Sequence, residues 1–182
     1  MKVSVFCYTH RMDYLITGVS GSGKTTMATE LAKRGYDTRN MDYIEGLCSW
    51  VNLADGKSAP DNRENDPNWL QTHDWLWDRD KLTELLHETD GTFFCGSSGN
   101  QKQFYSLFGK VVLLEMDANL IKERVLNNHR DHSYGQMPGE MDVIMGYFEQ
   151  FQDEAKAAGA IIIDARRPLN EVISLVLAET LE

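Results

Sequence analysis

The chain has 182 residues, 42% of them hydrophobic, and a formal net charge of -10 at pH 7. That length fits one domain with a substantial core, and the acidic balance excludes a broad basic surface for nucleic acid or anionic lipid, which needs clustered Lys and Arg. Any anionic ligand must be held by a local basic site. The three cysteines, Cys7, Cys48 and Cys95, show no C-x-x-C spacing and suit reduced thiols. No stretch approaches the roughly 20 apolar residues of a membrane span, and no long apolar signal core opens the chain. A cytoplasmic protein without membrane or nucleic-acid partners, monomeric or homodimeric, is expected.

Residues 1 to 11 form an extension, readable as an extra strand, a tag-like segment or an early start. Asp13 to Thr17 is the first predicted strand, and its helix starts near Lys24, carries Met27, Ala28 and Leu31 on one face and stops at Gly35. A short second strand over 36 to 41 leads into Asp42. From about 42 to 77 the pattern breaks into Gly, Pro, Asn and Asp punctuation, with Trp69, Trp75 and Trp77 near its end; so long a loop in a compact domain is usually functional or disordered. Leu82, Leu85 and Leu86 mark a helix ending before Gly91, and Thr92 to Cys95 reads as a central strand. Phe104, Leu107 and Phe108 mark a short helix. Val111 to Met116 is the clearest strand, and Asp117 is placed to cap a helix with Leu120, Ile121 and Val125. A polar stretch, about 127 to 139, precedes a long helix with Met141, Ile144, Met145, Phe148 and Phe151 at helical spacing. Ala160 to Asp164 is the last strand, and Pro168 opens a final helix with Val172, Ile173, Val176 and Leu177. Apolar strands alternating with helices predict a parallel sheet covered on both faces.

Gly18-Val19-Ser20-Gly21-Ser22-Gly23-Lys24-Thr25 matches G-x-x-x-x-G-K-[ST] in full, between a strand and a helix. Glycines at 18, 21 and 23 let backbone N–H groups turn inward on phosphate oxygens, Lys24 reaches the β and γ phosphates, and the Thr25 hydroxyl joins a magnesium shell. Ser20, Ser22 and Thr26 complete the nucleotide cradle. An ordinary glycine-rich turn has no need of both Lys24 and Thr25.

With this loop and strand order, the chain resembles the nucleoside monophosphate, shikimate and gluconate kinases from Met12 onward. The resemblance implies a three-layer α/β/α P-loop NTPase fold, with a five-stranded parallel sheet in the order 2-3-1-4-5, a substrate-binding insertion (about 42 to 77) and a short lid (about 127 to 139). It implies ATP and Mg2+ as cofactors and transfer of the γ-phosphoryl group to a small-molecule acceptor, shikimate or gluconate kinase-like, with a nucleotide or nucleoside kinase as an alternative.

Asn40-Met41-Asp42-Tyr43-Ile44-Glu45 resembles the D-x-D-x-x-I-E stretch of shikimate kinases, with Asn40 replacing the first aspartate. Asp42 falls where that family contacts the acceptor hydroxyl, and it also suits a helix cap. Cys95-Gly96-Ser97-Ser98-Gly99-Asn100 resembles the segment ending strand three in gluconate kinases, which makes Gly96, Ser97 and Asn100 acceptor-side candidates; a plain strand-to-helix turn explains them nearly as well. Arg63 is the natural partner for an anionic acceptor. Arg124 and Arg130 resemble lid arginines that close on the transferring phosphoryl group, whereas His129 and His132 alone make a weak metal signal. Arg166 and Pro168 fall where the family holds the adenine edge. No acidic residue ends strand three and the acceptor motifs are altered, so an ATP-binding switch or adaptor with slow ATPase activity stands as a second class.

Overall fold

The computed structural model describes residues 12 to 66, 68 to 127 and 134 to 181. The main sheet contains β1 (Tyr14–Thr17), β2 (Thr38–Asn40), β6 (Phe93–Cys95), β7 (Lys110–Glu115) and β8 (Ile161–Asp164). All its pairings are parallel, in the order β2-β6-β1-β7-β8. Counted along the chain, these strands lie in the expected order 2-3-1-4-5. Around them run α1 (Lys24–Lys33), α3 (Arg79–Glu88), α4 (Ala118–Asn127), α5 (Glu140–Ala157) and α6 (Leu169–Leu181).

Period-two alternation explains the layering, because successive strand side chains point to opposite faces. Tyr14 and Ile16 of β1, Phe93 and Cys95 of β6, and Val112 and Leu114 of β7 share one core with Met27, Leu31, Ile121, Ile173 and Val176. Leu15, Phe94 and Leu113 turn to the other face, against Leu82, Leu85, Phe104 and Phe108. Helix α5 serves both cores, with Ile144 and Phe148 in the first and Ala155 in the second.

Local signals set the helix ends. Asp78 accepts from the Lys81 N–H at 2.7 Å to start α3, and Asp117 accepts from the Leu120 N–H at 2.9 Å to start α4. Gly35, with φ 88°, follows the end of α1. The segment expected as a short helix around Phe104 is a 3₁₀ run, Gln101–Leu107.

The stretch from 42 to 77 is more ordered than its punctuation suggests. After a 3₁₀ turn over Met41–Tyr43, β3 (Cys48–Asn52), β4 (Ser58–Ala59) and β5 (His73–Trp77) form an antiparallel sheet in the order β4-β3-β5, with a one-turn helix α2 (Trp69–Thr72) before β5. Cross-strand aromatic packing holds it. Trp50 lies opposite Trp75 with ring centroids 5.5 Å apart, Trp69 packs edge-on against Trp50, and the His73 ring stacks on Trp69 at 3.6 Å. Trp77 is buried against Phe104 on the main domain. Among the described residues no helix is long and apolar enough to cross a membrane.

Candidate active site

Parallel strands deliver their following loops to one edge of the sheet, and ligands of open α/β sheets bind there. The loop from Gly18 to Thr25 follows β1, Asp42 follows β2, and the loop from Gly96 follows β6. A cleft of about 1150 Å³ runs along this edge, bounded by Lys24, Thr25, Asp42, Trp75, Ser97 and Arg124 among others.

The first loop has the backbone its sequence requires. Gly21 and Gly23 have φ of 86° and 102°, values open to glycine and strained for other residues. A Cβ on Gly18 would stand 2.4 Å from Ser22 Oγ, so that position needs the absence of a side chain. Ser22 Oγ is buried without a hydrogen-bond partner. Lys24 Nζ donates to the carbonyls of Gly18 at 2.6 Å and Val19 at 3.1 Å, which holds a cation over the loop. Ser20 and Thr26 also line the cleft. The site thus fits a phosphate chain by its backbone and its cation. For a divalent ion the chain offers the Thr25 hydroxyl, to which Asn40 Nδ2 donates at 3.5 Å. Among the described residues there is no group of three or more His, Cys, Asp or Glu able to hold a metal.

Across the cleft, Asp42 is exposed, and its Oδ1 accepts from Trp75 Nε1 at 3.4 Å. Its backbone N–H is capped by Asn40 Oδ1 at 3.2 Å. Asp42 therefore accepts no local capping bond of its own in these contacts and points its carboxylate toward Trp75. Asp74, which the motif reading did not single out as a site residue, also lines the cleft. Its Oδ1 accepts from the Trp75 N–H at 2.8 Å, and burial pushes its carboxyl above the ordinary aspartate range. Trp75 thus donates to both carboxylates. The sequence signal was the run Trp75-Leu76-Trp77, aromatic and apolar residues of high strand propensity, inside a segment dominated by turn residues.

The loop after β6 divides by role. Ser97 lines the cleft. Asn100 instead clamps β5, accepting from the Trp77 N–H at 3.0 Å and donating to the Trp77 carbonyl at 2.9 Å. A Cβ on Gly96 would come within 2.7 Å of Met41 Cβ, so Gly96 permits close packing of the β2 and β6 ends. Gln101 is buried, accepts from Thr17 Oγ1 at 2.8 Å and donates to Tyr105 at 2.9 Å, a chain that ties the end of β1 to this loop. Burial raises the Tyr105 hydroxyl to about 12 and the nearby Cys48 thiol likewise to about 12, so both stay protonated at neutral pH.

Arg63 is tied to other protein groups. Its guanidinium contacts Asp61 through Nε and Nη2, donates from Nη1 to Glu140 Oε1 at 2.7 Å, and lies 5.2 Å and 5.4 Å from the ring centroids of Trp50 and Tyr134. This guanidinium holds the Asp61 carboxyl below its ordinary range. Glu140, 3% exposed, uses its other oxygen to accept from the N–H groups of Gly135 and Met137. One ionic knot joins β3, the segment after residue 133 and the start of α5. Glu140→Ala leaves Arg63 and two backbone donors without that partner, and should lower the unfolding free energy by about 3 kcal/mol. Urea unfolding measures it, and a loss under about 1 kcal/mol would show that the knot is not structural.

Arg124, on α4, donates to the Ala165 carbonyl at 3.2 Å, and its Nη1 would lie 3.9 Å from a Cβ on Gly23. It bridges the phosphate loop and the loop after β8. Arg166 is folded back on Asp164, at 2.7 Å and 3.0 Å, and the pair holds Asp164 at about 2. Pro168 is exposed and its carbonyl receives the N–H groups of Glu171 and Val172 at the start of α6, as helix initiation requires. Neither Arg166 nor Pro168 is among the residues bounding the cleft. Arg130, His129 and His132 lie outside the described residues, as does the part of the expected lid from 128 to 133.

The raised Asp74 carboxyl has a stability consequence. Between the ordinary aspartate pKa, about 3.9, and its raised folded value the native state holds more protons than the unfolded one, so stability falls as pH rises through that window and the cost persists above it. Asp74→Asn should therefore raise the melting temperature at pH 7, with the gain fading below about pH 4. An equal gain at both pH values would remove the electrostatic cause.

A parallel sheet in this order, with a strand, a glycine-rich loop bearing lysine and threonine, and a helix at its carboxyl edge, defines a P-loop fold of the kind found in small-molecule kinases. A family model described as an AAA domain matches residues 15–136, and the chain belongs to that family. Similar solved structures are a shikimate kinase from Bacteroides thetaiotaomicron (TM-score 0.62, 18% identity, covering 94% of this chain and 99% of that one) and a deoxyadenosine kinase from M. mycoides with bound dATP (0.58, 15%, 94% and 100%). A gluconokinase from Sinorhizobium meliloti 1021 is also similar (0.55, 16%, 94% and 93%). At these identities the likeness establishes the fold. No curated protein matches the sequence at a significant level.

Proposed function

We propose that the chain is an ATP-dependent phosphotransferase that passes the γ-phosphoryl group of MgATP to a hydroxyl of a small molecule. The observation that carries this reading is one cleft lined both by Lys24 and Thr25 of the phosphate loop and by Asp42, Trp75 and Ser97 from the loops and insertion beside it. A phosphate cradle alone suits any nucleotide binder, whereas transfer needs a second chamber that opens onto it. Residues 42 to 77 act as the substrate-binding insertion, and the segment from 127 to 139 acts as the lid.

Bound MgATP supplies the phosphoryl group and a metal that offsets part of its charge. Lys24 and the N–H groups of Gly21 and Gly23 would hold the phosphate oxygens, while the Ser22 N–H closes the loop on the Val19 carbonyl at 3.1 Å, and Thr25 would serve the metal. Asp42, steadied by Trp75, orients the acceptor hydroxyl and takes its proton at a carboxylate oxygen. Arg124 adds positive charge beside Gly23, and Arg130 is the proposed lid arginine. The aromatic walls exclude water, which limits futile hydrolysis. Coupled assays of ADP formation against sugar acids, shikimate-like acids, nucleosides and nucleotides test this reading. One acceptor should accelerate ATP consumption well above the rate without acceptor. An identical rate with every compound would favour the slow ATPase switch instead.

A further inference from the structure

The charges facing the acceptor chamber are unequally paired, and this restricts what can bind there. Apart from Lys24 and Arg124 at the phosphate end, the lysines and arginines bounding the cleft are Arg63 and Lys102. Arg63 is spent on Asp61 and Glu140, at 2.8 Å and 2.7 Å. Lys102 stands 3.8 Å from Glu154, which bounds the same cleft, so the two offset each other. His73 is engaged at both ring nitrogens, with Thr72 and Asn52, and stacks on Trp69. Asp42 and Asp74 have no cationic partner within ion-pair distance among the described residues, and both hang on hydrogen bonds from Trp75.

Carboxylates at neutral pH only accept hydrogen bonds, so a molecule seated between them must offer donors. A carboxylate or phosphate on that molecule would face the like charges of Asp42 and Asp74, and among the described residues bounding the cleft away from the phosphate loop both cations, Arg63 and Lys102, already have acidic partners. Trp50, Trp75, Tyr134 and Tyr147 supply broad apolar surface around the same space. Resting on the phosphotransferase reading above, we infer that the acceptor is an uncharged or cationic compound rich in hydroxyl or amino donors, and that Asp42 and Asp74 together select against anionic acceptors.

Matched compounds that differ in charge test this. ADP formation by the full chain is followed with methyl shikimate against shikimate, glucitol against gluconate, and deoxyadenosine against deoxyadenosine 5′-monophosphate. The uncharged member of at least one pair should be turned over with kcat/KM about tenfold or more above its anionic partner. A preference for the anionic member in the pair that is turned over would overturn the inference and leave the phosphotransferase reading standing. If no compound of either charge raises ADP formation, the phosphotransferase reading falls and the inference falls with it. Asp74→Asn provides a second arm. It should narrow the charge preference by about tenfold while MgATP binding, followed by calorimetry, is unchanged. An unaltered preference in folded Asp74→Asn would overturn the part assigned to Asp74.

Discussion

Lys24→Ala is expected to reduce ATP turnover by about 10² or more, the scale seen when a single pre-organised donor to developing charge is removed. The ammonium lies on the carbonyls of Gly18 and Val19, within the proposed phosphate loop, so its loss removes the cation from the point where negative charge must be held. Stability should change little. The loop conformation is set by the positive φ of Gly21 and Gly23 and by packing of Val19, not by the lysine alone. Calorimetry with MgATP and a steady-state assay measure the effect, and unchanged affinity together with unchanged turnover would remove Lys24 from the site.

Asp42→Asn separates acceptor chemistry from nucleotide binding. The substitution keeps an oxygen that can accept from Trp75 Nε1, and it leaves intact the Asn40 cap on the residue-42 N–H. Its fold and its MgATP affinity should therefore persist. What is lost is a group that can take a proton, and transfer to the true acceptor should drop by about 10². Were Asp42 only a local turn residue, asparagine would replace it at almost no cost. A mutant that transfers phosphoryl at near-normal rates would shift the acceptor-base role to another group, and Asp74 is then the carboxylate to substitute, because it hangs on the same tryptophan.

Much of the scaffold was legible in the chain because short-range rules decide it. The glycine spacing of 18, 21 and 23 with Lys24 and Thr25 specifies a phosphate loop, since left-handed backbone and a cation are both written locally. Asp78 and Asp117 announce their helices by capping, and Pro168 announces the last one. Buried strands are continuous apolar runs, as Val111 to Leu114 is, and helices are periodic ones, so the alternation that yields the parallel sheet needed no distant information.

Partnership across the chain was not legible. Residues 42 to 77 contain strands whose stability comes from Trp50 meeting Trp75 and from Trp77 meeting Phe104, contacts between positions far apart in sequence, while their local composition favours turns. Arg63 looked like a free cation for an anionic acceptor, and only folding brings Asp61, Glu140, Trp50 and Tyr134 around it. Asn100 looked like an acceptor contact and is a clamp on Trp77, and Arg166 turns to Asp164 instead of the cleft. By itself, then, the sequence determined a parallel sheet covered by helices and the phosphate loop, while the strand order 2-3-1-4-5 was what the family resemblance implied. The tertiary structure decided which charges remain unpaired in the cleft, because the pairing of a charged side chain depends on which distant groups folding carries within a few ångströms of it.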